Sequence, residues 1–202
     1  MPITIYHVKG TRSMRVIWLC EELDIPYEVV TVDFSPEYRN TAEWRAKSPT
    51  GKVPAMSDGD LTMFESGAMV HYLLEKYGNG RLRPELGSPE SAIFLQWSWF
   101  AEATLARPLG DMVHHRVLKP EAERLPAMVV DGEKRARTCL EALDSALKDQ
   151  EYLQSDFSAA DIMIGYSLML ALRMEVLDDE YPEVQRYFKA LSGRPAYEIA
   201  MK

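Results

Sequence analysis

Ile3-Thr4-Ile5-Tyr6-His7-Val8-Lys9-Gly10-Thr11-Arg12-Ser13-Met14-Arg15-Val16 is the stretch on which the fold turns. Ile3 and Ile5 alternate with Thr4 and Tyr6, the period of a half-buried strand, and His7 to Thr11 reads as a turn. Val16, Leu19, Cys20 and Leu23 then recur at the i, i+3, i+4, i+7 spacing of an amphipathic helix. Asp24-Ile25-Pro26 ends it, because proline cannot continue a helix. Tyr27 to Val32 reads as a second strand. This succession implies a parallel pair joined by a right-handed crossover, and ligands of such units bind where the first strand passes into the helix. Functional groups are therefore expected near Gly10 to Ser13.

Working outward, Ser48-Pro49-Thr50-Gly51-Lys52-Val53-Pro54-Ala55-Met56 leads into Asp58-Gly59, a strong hairpin signal with Met56 and Leu61 to Phe64 as its arms. Ser66 precedes a helical face of Met69, Tyr72, Leu73 and Lys76 that stops at Gly78. Breakers crowd the stretch from Gly78 to Pro89, which marks a linker. Ser88 as N-cap and Pro89 then open a long helix that runs through Trp97 and Trp99 toward His114. Ala136, Leu140, Leu143 and Leu147 mark another amphipathic helix, and Tyr187 to Leu191 the last, closed by Ser192-Gly193-Arg194-Pro195. Ile162 to Leu172 is apolar nearly all round, as suits a helix at the centre of a bundle. The expected architecture is α/β plus all-α, with a mixed domain over residues 1–80 and a helical domain over residues 88–202.

The 202 residues are 47% hydrophobic and 27% charged, the composition of a folded protein rather than a disordered one. Lys and Arg total 23 against 31 Asp and Glu, a net charge of −8 without a basic run, which argues against nucleic acid and anionic membrane as partners. The N-terminus enters strand-like sequence without a signal peptide, and no apolar run reaches membrane-spanning length, so a cytoplasmic location is expected. Cys20 and Cys139 sit in periodic apolar segments and read as reduced core residues. His114 and His115 have no acid or cysteine at a ligand spacing, so they read as a partly exposed helix end and no metal is expected.

Three separated signatures resemble the glutathione transferases. Gly51-Lys52-Val53-Pro54-Ala55 is similar to the segment that carries the family's cis-proline, which turns the preceding backbone N–H and C=O toward the ligand. Phe64-Glu65-Ser66-Gly67-Ala68 resembles the Glu-Ser step that holds the γ-glutamyl end of glutathione. A helix N-terminus suits a carboxylate and Glu65 suits an ammonium, so a zwitterionic amino-acid head fits both. Phe157-Ser158-Ala159-Ala160-Asp161 resembles the capping box and hydrophobic staple that open the buried helix of the second domain. The resemblance implies a thioredoxin-like first domain, a helical second one, glutathione as co-substrate, a hydrophobic small-molecule electrophile and a homodimer.

In such enzymes a hydroxyl and the positive end of a helix stabilise the glutathione thiolate. A free thiol of pKa near 8.5 is only about 3% ionised at pH 7, and a lowering of ~2 units, worth ~2.7 kcal/mol, makes the thiolate the major form. Thr11 stands where the resemblance places the thiolate-stabilising serine, with Ser13 and Tyr6 as the other candidates. Lys52, Val53, Pro54, Glu65 and Ser66 are the expected glutathione-binding residues, and Trp99, Met112 and His115 are candidate wall residues for the electrophile. Two other readings stay open: a non-catalytic glutathione-fold binding or regulatory protein, and a glutathione-dependent peroxidase, isomerase or dehalogenase using the same thiolate.

Overall fold

The computed structural model describes residues 2–202, and Met1, the first residue of the N-terminal reading, lies outside them. Strand β1 (Ile3–His7) leads through a turn into α1 (Ser13–Leu23), β2 (Tyr27–Thr31), α2 (Pro36–Arg39) and α3 (Ala42–Lys47). Strands β3 (Ala55–Asp58) and β4 (Leu61–Phe64) form the hairpin, and α4 (Ser66–Tyr77) follows. The sheet order is β2-β1-β3-β4. β1 and β2 are parallel, with Ile5 beside Val29, and β3 is antiparallel to both its neighbours. This is the crossover unit and the hairpin expected from the pattern.

The strand is one residue longer than the alternation of Ile3 and Ile5 suggested. His7, read as the start of the turn, continues the ladder opposite Thr31 and is buried on the same face as the two isoleucines. α1 is buried from Ser13 through Cys20, and it ends where Asp24 takes a left-handed conformation (φ 56°) that returns its N–H to the Cys20 and Glu21 carbonyls. The polar stretch around Trp44 forms α2 and α3, capped by Ser35 and Thr41, and their product is a buried Trp44.

By its contacts the chain divides into two units, the first comprising the chain through Leu82 together with Arg194–Lys202, the second Arg83–Gly193. Beyond Ser192 the chain forms one more helix, α10 (Pro195–Ala200), which packs on α1. Tyr197 meets Trp18 edge to face at 5.0 Å, and Arg194 grips Glu22 through two hydrogen bonds of 2.6 and 2.8 Å. Two N–H groups in a fixed fork on one carboxylate make a stronger tie than a single surface pair. Those contacts hold the C-terminal residues, expected with the helices of residues 88–202, against the first unit.

The second unit holds α5 (Pro89–Trp99), α6 (Ala106–Val113), α7 (Pro126–Ala146), α8 (Ala159–Arg173) and α9 (Pro182–Ser192). The long helix expected from Ser88 toward His114 is interrupted by π-helical turns at Phe100–Leu105 and His114–Leu118. Pro108 offers no N–H to the Thr104 carbonyl four residues back, and the Cys139 thiol reaches that carbonyl at 3.9 Å. Gly132 lets α7 close on α6, since a Cβ there would come within 2.7 Å of Met112 Cγ. No helix among the described residues is long and apolar enough to cross a membrane.

α8 is buried along almost its whole length, and Asp161 at its start ties the unit together. Its carboxylate accepts from the Ser158 N–H (2.7 Å), the Ser158 hydroxyl (2.9 Å), the Leu153 N–H (3.1 Å) and the Tyr187 hydroxyl (2.7 Å) of α9. Burial pushes its carboxyl above the usual range, against four donors that favour the charged form. Asp161→Ala leaves those donors without an acceptor, and a loss of about 3–5 kcal/mol in urea unfolding is expected.

In the first unit Asp58 accepts from Tyr72 (2.6 Å), Lys76 (2.7 Å) and Tyr77 (2.7 Å), clamping the hairpin to α4. Burial alone would push its carboxyl up, but these three donors outweigh it and hold the pKa at about 2 against an ordinary 3.8. A depressed folded-state pKa means stability that is present above the ordinary value and lost as pH falls through the window from 3.8 to about 2. The urea midpoint should fall through that window, and Asp58→Asn should flatten the fall.

Candidate active site

The register of the sheet brings three separate pieces of chain to one end of it. Tyr6 lies beside Ala55, and Ala55 beside Phe64. Because β3 runs against both neighbours, one step beyond this row come the turn after β1, the Val53–Pro54 bond and the Glu65-Ser66 step.

The first piece holds the hydroxyls. Thr11 Oγ1 donates to the Val8 carbonyl at 2.7 Å and lies 2.8 Å from Ser13 Oγ. Ser13 Oγ is in turn 2.8 Å from His7 Nδ1. Ser13, expected as the N-cap of α1, is instead its first residue. Arg12 occupies the cap position already in helical conformation (φ −62°, ψ −12°), and the Met14 and Arg15 N–H groups bond to Thr11 and Arg12 carbonyls. Winding begins one residue early, so the Ser13 hydroxyl is buried toward Thr11 and His7 rather than spent on a cap. Burial also lowers the pKa of His7, which favours a neutral ring.

Tyr6 stands apart from this group. Neighbouring side chains on a strand point to opposite faces. While His7 shares the face of Ile3 and Ile5, Tyr6 packs edge-on against Trp44 at 6.0 Å between ring centres, in a cluster with Val32 and Ala55. Lys47 places its ammonium 5.6 Å from the Tyr6 ring.

At the second piece the Val53–Pro54 bond is cis. Val53 lies outside the β1–β3 ladder and, among the described residues, makes none of the backbone hydrogen bonds of the surrounding loop, so its N–H and C=O can pair with an extended ligand backbone. Lys52 is exposed, and its N–H is held by the Ser48 hydroxyl at 3.2 Å. Gly51 sets the approach of this loop with φ +66°, and a Cβ there would lie 2.9 Å from the Arg39 carbonyl oxygen.

The third piece is the start of α4. Glu65 sits in the cap position at φ 75°, a sparsely populated conformation for a side-chain-bearing residue, and no side chain caps the helix. Ser66, expected just ahead of the helix, is its first residue. The leading N–H groups of a helix have no intrahelical partner and, with the dipole, offer a site to a carboxylate. Arg15, wholly buried on α1, donates to the Ser66 hydroxyl at 3.3 Å and brings a positive charge to the same helix end.

His7 and Arg15 were not among the residues singled out from the sequence. His7 continues the every-second-residue burial of Ile3 and Ile5, and Arg15 is a charge inside the apolar run from Met14 to Cys20. Those two signals pointed to both. Of the residues expected to line an electrophile site, Trp99 is 62% exposed, Met112 is packed against Gly132, and buried His115 accepts from the Leu125 N–H at 3.2 Å. His114 is exposed, so only that half of the His pair is the open helix end expected.

Residues 1–75 match the family described as glutathione S-transferase, N-terminal domain. The chain is 30% identical to glutathione S-transferase 3 of Schizosaccharomyces pombe over 98% of this chain and 86% of that protein. It is 29% identical to the glutathione S-transferase GstB of Escherichia coli, covering 93% and 91% of the two. Among solved structures, the theta class glutathione S-transferase of Xanthomonas axonopodis pv. citri, with glutathione bound, is 31% identical and superposes with a TM-score of 0.87 over 100% of this chain and 98% of that one. The glutathione transferase URE2P6 of Phanerochaete chrysosporium, in complex with oxidised glutathione, is 27% identical with a TM-score of 0.88 over 98% and 94%.

Gly51→Ala tests how the cis-proline loop is held. Its left-handed conformation and the crowding at Arg39 should cost about 2 kcal/mol of stability in urea unfolding.

Proposed function

The chain belongs to the glutathione S-transferase family, and from that premise we propose that it is an enzyme that binds glutathione, holds its thiol as thiolate and adds the sulfur to a hydrophobic electrophilic small molecule. One observation carries the reading: Thr11 and Ser13 hydroxyls in contact at the N-terminal end of α1, at the same sheet end as the cis Val53–Pro54 bond and the uncapped start of α4. The tripeptide would be held at α4 by Ser66, with Glu65 pairing its ammonium. Its central residue would pair with Val53, and Lys52 would reach its glycyl carboxylate.

The sulfur then lies over α1, where the Thr11 hydroxyl swings from the Val8 carbonyl to donate to it and the helix dipole favours the negative charge. The thiol proton leaves to water, the thiolate attacks the electrophile, and a new C–S bond forms as the leaving group departs or the acceptor is protonated. A cytoplasmic location, a role in detoxification, a homodimer and the division into domains at residues 1–80 and 88–202, with Arg194–Lys202 grouped by contacts with the first, belong to the same proposal. For the dimer, exposed Leu61 and Phe64 on β4 offer an apolar surface to a second copy.

The bond from Thr11 to Val8 favours a second reading, in which the hydroxyl stays with the carbonyl and glutathione is bound without turnover. Activity decides between them. With a chloronitrobenzene and an isothiocyanate as acceptors, Thr11→Ala should lower kcat/KM by about 10- to 100-fold, while the KM for glutathione changes little. Binding by calorimetry with no turnover of either acceptor would establish the second reading instead.

A further inference from the structure

Three short contacts run in series from His7 to the Val8 carbonyl: His7 Nδ1 to Ser13 Oγ at 2.8 Å, Ser13 Oγ to Thr11 Oγ1 at 2.8 Å, and Thr11 Oγ1 to Val8 O at 2.7 Å. Each needs one proton. The carbonyl supplies none, and each hydroxyl supplies one. The third must come from Nδ1. Were the neutral ring protonated only at Nε2, one of these contacts would set two lone pairs against each other at hydrogen-bond distance. Filled in this way, the chain has a single sense, from the ring through Ser13 to Thr11. The longer 3.4 Å path from Ser13 to Val8 leaves that sense unchanged.

We propose that His7 is a positioning residue for the thiolate: its Nδ1–H, given to Ser13, directs the hydroxyl chain so that Thr11 and not Ser13 is the terminal donor to the glutathione sulfur. This rests on the thiolate reading above. Donation into Ser13 and then into Thr11 polarises the last O–H, since hydrogen bonds in series strengthen one another. When the sulfur arrives, only the last proton changes acceptor, from the Val8 carbonyl to the thiolate, and the two behind it stay in place.

Lys9 and Arg12 flank the hydroxyls in the turn, while the charged groups of α1, β2 and β3 have partners of their own or face solvent. On α1, Arg15 serves Ser66, Glu21 takes the Tyr27 hydroxyl at 2.5 Å, and Glu22 takes Arg194. On β2, Glu28 is exposed opposite Thr4, and on β3, Asp58 is held by Lys76, Tyr72 and Tyr77.

The test follows the ultraviolet absorbance of the bound thiolate against pH in the whole protein. His7→Leu and Ser13→Ala should each raise the apparent pKa of the bound thiol by about 0.5–1 unit, and the double variant by no more than the larger single shift. His7→Asn, which can place an amide N–H near the Nδ1 position, should stay within about 0.3 unit of the unsubstituted protein. At a pH below the bound thiol pKa, where glutathione binds as the thiol, its affinity should hardly change in any of them. Nitrogen chemical shifts of His7 in the unsubstituted protein should show the Nδ1–H tautomer, a readout that survives if a variant fails to fold.

An Nε2–H tautomer overturns the inference. So does a thiol pKa that His7→Leu leaves in place, or one that His7→Asn shifts as far as His7→Leu does. Thr11→Ala separates the two levels. If it raises the thiol pKa while His7→Leu does not, the relay alone falls; if neither does, the thiolate reading falls with it.

Discussion

Burial of helix α1 is the constraint on which the first unit rests. From Ser13 to Cys20 no residue of it reaches solvent, and β1, α4 and α10 pack around it. A helix in a small domain normally keeps a polar face in water. Where it cannot, each polar group must find a partner inside, because an unpaired one costs the full loss of its hydration. Arg15 meets Ser66 at the head of α4, Ser13 meets His7 and Thr11 at the end of β1, and Glu22 meets Arg194 at the entry to α10. The packing that seats the helix therefore also aims its polar groups, and two of the three point to the end of the sheet where the cis-proline and the α4 terminus lie.

The second unit meets the same problem with one carboxylate. Asp161 has four donors, three from the loop that precedes α8 and one from α9, so the buried charge organises the packing around it instead of being tolerated by it. Replacing such a network by apolar residues can leave stability unchanged, whereas removing one member strands the rest. Its value to the fold lies in specifying which segments meet, and Leu153, Ser158 and Tyr187 are far enough apart in sequence for that to matter.

In the proposed reaction the protein would use neutral donors: hydroxyls and helix ends would stabilise the developing thiolate, so the sulfur would stay nucleophilic while its proton is made easier to lose. The total required is small, about 2.7 kcal/mol for two pKa units. One well-directed hydroxyl with a helix dipole is of that order. Direction then matters as much as identity, since Thr11, being β-branched, has few rotamers and each one commits its proton to a particular acceptor.

The alternation of Ile3 and Ile5, the helical spacing from Val16 to Leu23, the Asp58-Gly59 hairpin and the Ser158 to Asp161 box determined by themselves the first strand, helix and strand, the hairpin, the parallel first pair and the buried helix of the second unit. These are local signals, carried by residues within a few positions of one another. Sequence also placed Thr11, Ser13, Pro54 and Ser66 in segments that the sheet register brings to one edge. Only the tertiary structure decided that Tyr6 faces Trp44 instead of joining the hydroxyls, that Arg15 serves Ser66, and that the last helix returns to α1. Which face a residue presents, and what waits there, depends on contacts between segments distant in the chain, and no spacing along the chain encodes the partner. His7 lies between the two cases: its place on the buried face follows from counting by twos, but its bond to Ser13 exists only because α1 begins one residue early and turns that hydroxyl inward.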